Sequence, residues 1–268
     1  MVLVGVGKAG CDLVDEFTKS HKKIHISIKD FPKKCSTAEE FEKFCPNLTK
    51  KLKFAEKECW VVLCGTDKVA GATLRMLESI KNKIINIIYV YPDPTLSTPM
   101  QMKRHNVVSG VLQQYTRSGL LNKMYLFSNK QILDIIGEQP ITVMYSAINK
   151  HIAHALETIE WFKNQEPVLG TLHQPKDISR ISTLSVGDFQ KNEEKLLFSL
   201  DNTTEAGYIY SISKTELEKN KKLLKIIKDR IINDEKNEIV SSFIIYSSDH
   251  KQSFFYSLKH THFIQEKK

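Results

Sequence analysis

Val2-Leu3-Val4-Gly5-Val6-Gly7-Lys8-Ala9-Gly10 is the stretch on which the reading of this chain turns. A short apolar run ends in Gly5-x-Gly7-x-x-Gly10. Leu13, Val14 and Phe17 then recur at helix spacing among Asp12, Asp15, Glu16 and Lys19. A strand that breaks into glycines and opens a helix brings free backbone N–H groups, and the positive end of the helix, within reach of a phosphate. Asp30 follows 20 residues after Gly10, at the end of the next apolar alternation, Ile24–Ile28. Taken alone, glycines plus acid are what an NAD-binding Rossmann domain shows. The competing reading is a tight strand–helix turn with no ligand.

Outward from this loop, strands are expected at Trp60–Cys64, Ile84–Tyr91 and Met124–Ser128, and helices at Ala70–Ile80, Met102–Ser118 and Gln131–Ile136. That alternation predicts an α/β domain with a mainly parallel sheet. The segment 31–57 is polar and lysine-rich, irregular apart from a short helix at Ala38–Phe44. A long helix is expected over 141–164, after which the rhythm changes. Strands are read at Ile181–Val186, Leu196–Leu200 and Tyr208–Ser213. One amphipathic helix follows over Glu216–Asp234, with Leu217, Leu224, Ile227 and Ile231 on one face. Val240–Tyr246 and Phe254–Leu258 read as strands joined by the turn Ser248-Asp249-His250 and able to pair as a hairpin. The expected division is a nucleotide-type α/β domain over 1–140, a central helix over 141–165 and a small α+β domain over 166–268.

At 268 residues, 41% hydrophobic and 26% charged, the chain can bury a real core, which excludes global disorder. No apolar run is long enough to span a membrane, and the N-terminus lacks a charged region and a cleavage site, so a cytoplasmic location is expected. The net charge is +8, but Arg stands only at 75, 104, 117, 180 and 230, and lysine supplies the other 34 basic residues. Lysine lacks the planar fork used for phosphate and base readout, so nucleic acid is not the expected partner. Cys11, Cys35, Cys45, Cys59 and Cys64 form no C-x-x-C, which points to reduced thiols.

Over nearly the whole chain the order of these pieces resembles the tubulin and bacterial FtsZ superfamily. Gly5–Gly10 is similar to its first glycine-rich loop, and Asp30 falls where the family has an acid after the second strand. Trp60–Ala72 takes the place of its signature loop, G-G-G-T-G-[ST]-G. Ile84–Pro92 resembles the strand that follows. Gly119–Leu133 resembles the stretch leading through the next strand into an asparagine-started helix, and Gly170–Thr183 the loop and strand after the central helix. The resemblance implies GTP or GDP as ligand, with Mg only alongside nucleotide. It places nucleotide-binding residues at Gly5, Gly7, Lys8, Gly10, Cys11, Asp30, Gly65, Thr66, Lys68, Gly71 and Asn149. It also implies head-to-tail self-association or a place among other subunits of an assembly, including a viral one located in the host cytoplasm or the virion.

The departures bear on activity. Only Gly65 and Gly71 survive clearly in the signature loop, where Asp67, Lys68 and Val69 replace its centre and crowd the space for phosphate; Lys68 is expected to compensate in part. Leu96-Ser97-Thr98-Pro99 stands where the family carries an acid and an arginine for the sugar. Of the Asn-x-Asp-x-x-Asp set that the family inserts into a neighbouring subunit's nucleotide, Leu172–Asp177 keeps Asp177 alone as catalytic candidate. The expectation is a structural, self-associating protein with degraded GTP-binding and hydrolysis motifs. Two alternatives stand beside it: an active or slow GTPase forming dynamic filaments, and an NAD-binding Rossmann enzyme.

Smaller features have bland readings. His151, His154 and Glu157 share a helix face, and His260 and His262 a strand face, without the spacing of a metal motif. Lys219, Lys221, Lys222, Lys225 and Lys228 are expected to be a solvated helix face, with contact to an acidic partner or a neighbouring subunit as the alternative. Phe254, Phe255 and Tyr256 fall on both faces of a strand, which is then covered on both sides or meets a partner.

Overall fold

The computed structural model describes residues 1–266. It divides into two compact units, Met1–His154 with Glu266 and Ala155–Gln265, the division falling inside the helix Met144–Phe162.

In the first unit, strands β1 (Val2–Val6), β2 (Lys22–Ile26), β3 (Glu58–Leu63), β4 (Ile84–Tyr91) and β5 (Lys123–Ser128) pair in the order β2-β1-β3-β4-β5. Every pair is parallel, and Val4 lies opposite both Ile24 and Val61. All of β1, and β4 from Ile85 onward, is buried, as continuous apolar runs require when helices cover both faces. The polar exception, Asn86, is satisfied: its amide donates to Glu58 Oε1 at 2.6 Å and its oxygen accepts from Asn122 at 2.8 Å. The helices are α1 (Gly7–Glu16), α2 (Ala38–Lys43), α3 (Thr73–Ser79), α4 (Pro99–Arg117), α5 (Asn129–Ile136) and α6 (Met144–Phe162). A short 3-10 turn, Lys68–Ala72, precedes α3. α4 begins three residues before the expected Met102, because Thr98 and Gln101 form a reciprocal cap and Pro99 fits the first helical position. The strand order reverses between β1 and β3. The loops after their carboxyl ends, 5–10 and 64–72, therefore flank the crevice where open α/β sheets take ligands.

The second unit contains β6 (Leu169–Thr171), β7 (Ile181–Asp188), β8 (Glu193–Leu196), β9 (Glu205–Ser213), β10 (Val240–Ser248) and β11 (Phe254–Thr261). Their order is β7-β11-β9-β10-β6, with β8 paired to β7; β9 and β10 run parallel and the other pairs antiparallel. The last two strands are not neighbours in the sheet, as the expected hairpin would make them. β9 lies between β10 and β11 and bonds to both, because the helical connection from β9 returns the chain to make a parallel partner. That connection is two helices, α7 (Lys214–Lys219) and α8 (Leu223–Lys236), where one was expected. Asn220 ends the first by donating its side-chain amide to Glu216 Oε1 at 2.7 Å. The break resets the buried stripe to Leu223 and Ile227, and Leu224 is exposed. The expected strand at Leu196–Leu200 lies earlier, over Glu193–Leu196, and Leu197 and Phe198 are buried beyond its end.

The core of this unit gathers Tyr208, Tyr210, Ile212 and Phe255 beneath Leu223 and Ile227. β11 is covered on both faces: Phe255 packs on Tyr210 at 5.4 Å, while Tyr256 hydrogen-bonds with Thr158 of α6. A β-carbon at Gly187 would lie 2.0 Å from the Phe255 ring, and the Arg230 guanidinium lies 4.2 Å above that ring. Beside this stack, Glu194 accepts from Ser185 at 2.7 Å and Ser257 at 2.6 Å, and lies 3.4 Å from both Lys259 and Arg230. Lys259 also donates to Tyr208 at 2.7 Å, and Tyr208 donates to Asp234 at 2.8 Å.

Candidate functional site

The first loop is packed against protein at nearly every glycine. A β-carbon on Gly5 would lie 2.7 Å from the Gly10 carbonyl oxygen, and one on Gly10 would lie 2.2 Å from that of Val62. α1 can therefore settle directly on β3. Gly7 has φ +70°, and a β-carbon there would meet Asp67 Cγ at 2.5 Å. Cys11, one turn into α1, points its thiol at the carbonyls of Gly5 (3.4 Å) and Ile26 (3.8 Å). Burial pushes its pKa up to about 11, so it is a thiol at neutral pH.

The second loop lies across the first. Asp67 accepts the Lys8 backbone N–H through Oδ2 at 2.7 Å and the Val69 N–H through Oδ1 at 2.9 Å, capping the 3-10 turn with the second oxygen. The Lys8 ammonium is turned onto Asp12 at 2.5 Å, and this hydrogen bond holds its pKa above the usual lysine value. Beneath the loop, a β-carbon at Gly65 would lie 2.3 Å from the Tyr89 hydroxyl, and one at Gly71 would lie 2.2 Å from the Ala38 carbonyl oxygen. Thr66 holds Cys64 Sγ at 3.2 Å through its hydroxyl and accepts from Arg104 through its carbonyl. Tyr89 contacts His105 Nδ1 at 2.8 Å, and burial pushes the His105 imidazole down to about 4. Lys68 is exposed at the rim of a cavity of about 610 Å³, whose walls include Ala38, Leu74, Val107 and Val111.

The other candidates are engaged elsewhere or stand apart. Asp30 closes a 3-10 turn: Oδ2 accepts the Ser27 N–H at 2.8 Å and Oδ1 pairs with Lys51. Asn149 is buried on α6. Asp177 belongs to the second unit and is exposed in the turn before β7, where Glu205 receives the neighbouring Lys176 N–H at 3.2 and 3.1 Å.

Arg104, Tyr89 and His105, which support the second loop from α4 and β4, were not singled out by the sequence. A histidine and an arginine in the first turns of a helix carry no signature of their own. The capped start at Thr98-Pro99, which sets the helix phase, was the available clue.

Among the described residues no cluster of three or more His, Cys, Asp or Glu is placed to hold a metal, and no helix is long and apolar enough to cross a membrane. His260 pairs with the Ser182 hydroxyl at 2.7 Å. Burial, reinforced by His154, lowers the pKa of His151. The five cysteines are free.

A guanine nucleotide would need the first loop's N–H groups for its phosphates. As it stands the cradle does not fit one: the Lys8 N–H is taken by Asp67, whose carboxylate fills the room that Gly7 leaves and would repel an anion.

No family model and no curated protein matches the chain by sequence. Solved structures match it in shape over nearly its full length. A GTPγS-form protofilament of TubZ from Bacillus thuringiensis serovar israelensis superposes with a TM-score of 0.74 at 14% identity, covering 96% of this chain and 86% of that one. An empty FtsZ dimer from M. jannaschii gives 0.67 at 10% identity, covering 97% and 87%. The fold is tubulin/FtsZ-like. CetZ from Methanosaeta thermophila agrees, with a TM-score of 0.66 at 12% identity and coverage of 97% and 86%.

Proposed function

We propose that this chain is a tubulin/FtsZ-type structural subunit that self-associates head to tail, alone or inside a larger assembly, without efficient GTP turnover. The observation that carries the reading is coverage. The matches to a TubZ protofilament and an FtsZ dimer take in both units, leaving only 3–4% of this chain unmatched. A relic kept only for its nucleotide-type sheet would have no use for the second unit. Head-to-tail contacts are heterologous, so the expected product is an open filament or a ring. Loss of turnover is supported by Asp67 on the Lys8 N–H, by the internal use of Asp30, and by Asp177 being the one acid kept from the family's set. An assembly in the host cytoplasm or a virion is the setting we attach to this reading.

A slow GTPase is the second reading, favoured by one observation. Lys68 is exposed beside the second loop and has no ion pair among the described residues, which leaves a cation for a phosphate. The NAD reading is weakened because the Asp30 carboxylate that would bind a ribose is committed to Ser27 and Lys51.

Sedimentation of the nucleotide-free protein over a wide concentration range, with electron microscopy of the same samples, tests the proposal. Species well above the 30.8 kDa monomer without added nucleotide are expected. Monomers at every concentration would sink it. Phosphate release rising steeply with protein concentration would favour the slow GTPase.

A further inference from the structure

The room that a phosphate-loop glycine clears is filled in this protein by the protein itself. Gly7, at φ +70°, has no side chain, and the space where its β-carbon would project holds Asp67 Cγ at 2.5 Å and Oδ2 at 2.6 Å. That oxygen receives the Lys8 N–H at 2.7 Å, from a residue 59 positions away on another loop. The N-terminal end of α1 carries a partial positive charge, and a carboxylate there is stabilised for the same reasons a phosphate would be. The other carboxylate oxygen ties down Val69, so one side chain fixes both loops at once.

We infer that Asp67 is a built-in anion that takes the place of a phosphate, so that the two loops hold their working shape with no ligand bound. This rests on the reading above only in treating loop 5–10 as a phosphate-type loop; it does not depend on self-association. The anion cannot dissociate, because it is covalently part of the chain. A free phosphate must displace it and leave a carboxylate beside its own charge. The side chain of Lys8 offers little help, since its ammonium is drawn to Asp12.

The consequence is a gain of binding on losing a charge. Full-length protein and the variants Asp67→Gly and Asp67→Asn are melted with and without pyrophosphate, then with GDP, and amide exchange is followed at Lys8. The melting temperature of the unaltered protein is expected to stay the same at millimolar pyrophosphate. Asp67→Gly is expected to melt lower on its own and to recover with pyrophosphate in a saturable way. Its Lys8 amide should exchange about tenfold faster, as for loss of one hydrogen bond, and be protected again by pyrophosphate. Asp67→Asn keeps the size of the side chain, removes its charge and turns one of its two acceptors into a donor, so its response to pyrophosphate answers the question if the glycine variant fails to fold. Stabilisation of the unaltered protein by pyrophosphate or GDP as strongly as of the variants would overturn the inference. So would variants that stay unresponsive and keep Lys8 protected. Sedimentation of the same samples separates the two claims: monomers with the expected melting pattern would remove self-association and leave Asp67's role intact.

Discussion

Asp67 and Glu194 are both carboxylates holding two stretches of chain together, and their surroundings differ. Asp67 is half-buried at the end of a sheet and accepts two backbone N–H groups. Glu194 is enclosed by two serine hydroxyls, a lysine and an arginine, with Tyr208 and Asp234 completing the network through Lys259. Water can replace the partners of the first at little cost. It reaches the partners of the second poorly, so removing Glu194 takes the acid from the buried Lys259 and the half-buried Arg230. The contrast separates a loop end, where chemistry can be lost or regained cheaply, from a packed centre that the second unit needs for its stability.

The largest effect expected on breaking this contrast is from Glu194→Ala, about 3–5 kcal/mol in urea unfolding, because the buried Lys259 and the half-buried Arg230 lose the acid they share. A loss below about 1 kcal/mol would mean the network is as replaceable as the loop. Burial raises the pKa of Glu194, but Lys259, the Ser257 and Ser185 hydroxyls and Arg230 outweigh it and hold it below the usual value. Its contribution is therefore present above the unfolded carboxyl value and is lost as pH falls through the lower, folded one.

Next comes His105, under the second loop. Its folded value of about 4 lies below the ordinary 6.5. Above pH 6.5 the ring is neutral in both states. Between 6.5 and 4 the unfolded chain takes the proton first, so stability falls by up to about 3 kcal/mol as pH is lowered. Urea unfolding at pH 7 and pH 5 should show the fall, and His105→Gln should flatten it. Gly10→Ala drives a methyl into the Val62 carbonyl and is expected to cost about 1–3 kcal/mol in the same assay. Asp67→Ala should cost only about 1 kcal/mol, the worth of a cap. Lys225→Glu, on the exposed face of α8, should change stability by less than about 0.5 kcal/mol. Altered sedimentation of that variant would mark the lysine face as a contact surface.

The parallel sheet and the strand–glycine–helix entry were legible because local patterns specify them: an apolar run, three glycines at fixed spacing, then a helical stripe. Asp30 shows where such reading stops. A ribose-binding acid and an acid closing a turn onto Ser27 occupy the same position in sequence, and only the bond to the Ser27 N–H tells them apart. Leu223 and Leu224 pose the same difficulty in packing. Either suits an amphipathic stripe, and the choice depends on the helix break at Asn220, set by a side-chain bond to Glu216. The sequence showed that Asp67 would crowd a phosphate site, but not that it reaches the Lys8 N–H 59 residues away. The position of β9 between β10 and β11 was hidden for a similar reason. It is decided by the crossover, while a polar turn between two alternating strands reads locally as a hairpin.

The stack of Gly187, Phe255 and Arg230 in the second unit makes two distant codons behave as one. With the Phe255 ring 2.0 Å from where any β-carbon at 187 would sit, a larger residue at 187 is barred while the phenylalanine stays, and a smaller residue at 255 opens a hole while the glycine stays. A sequence drifting away from this pair must cross an unstable intermediate whichever position changes first. Relatives of this chain should therefore fall into two groups, those with glycine and a large ring and those with neither, with few between.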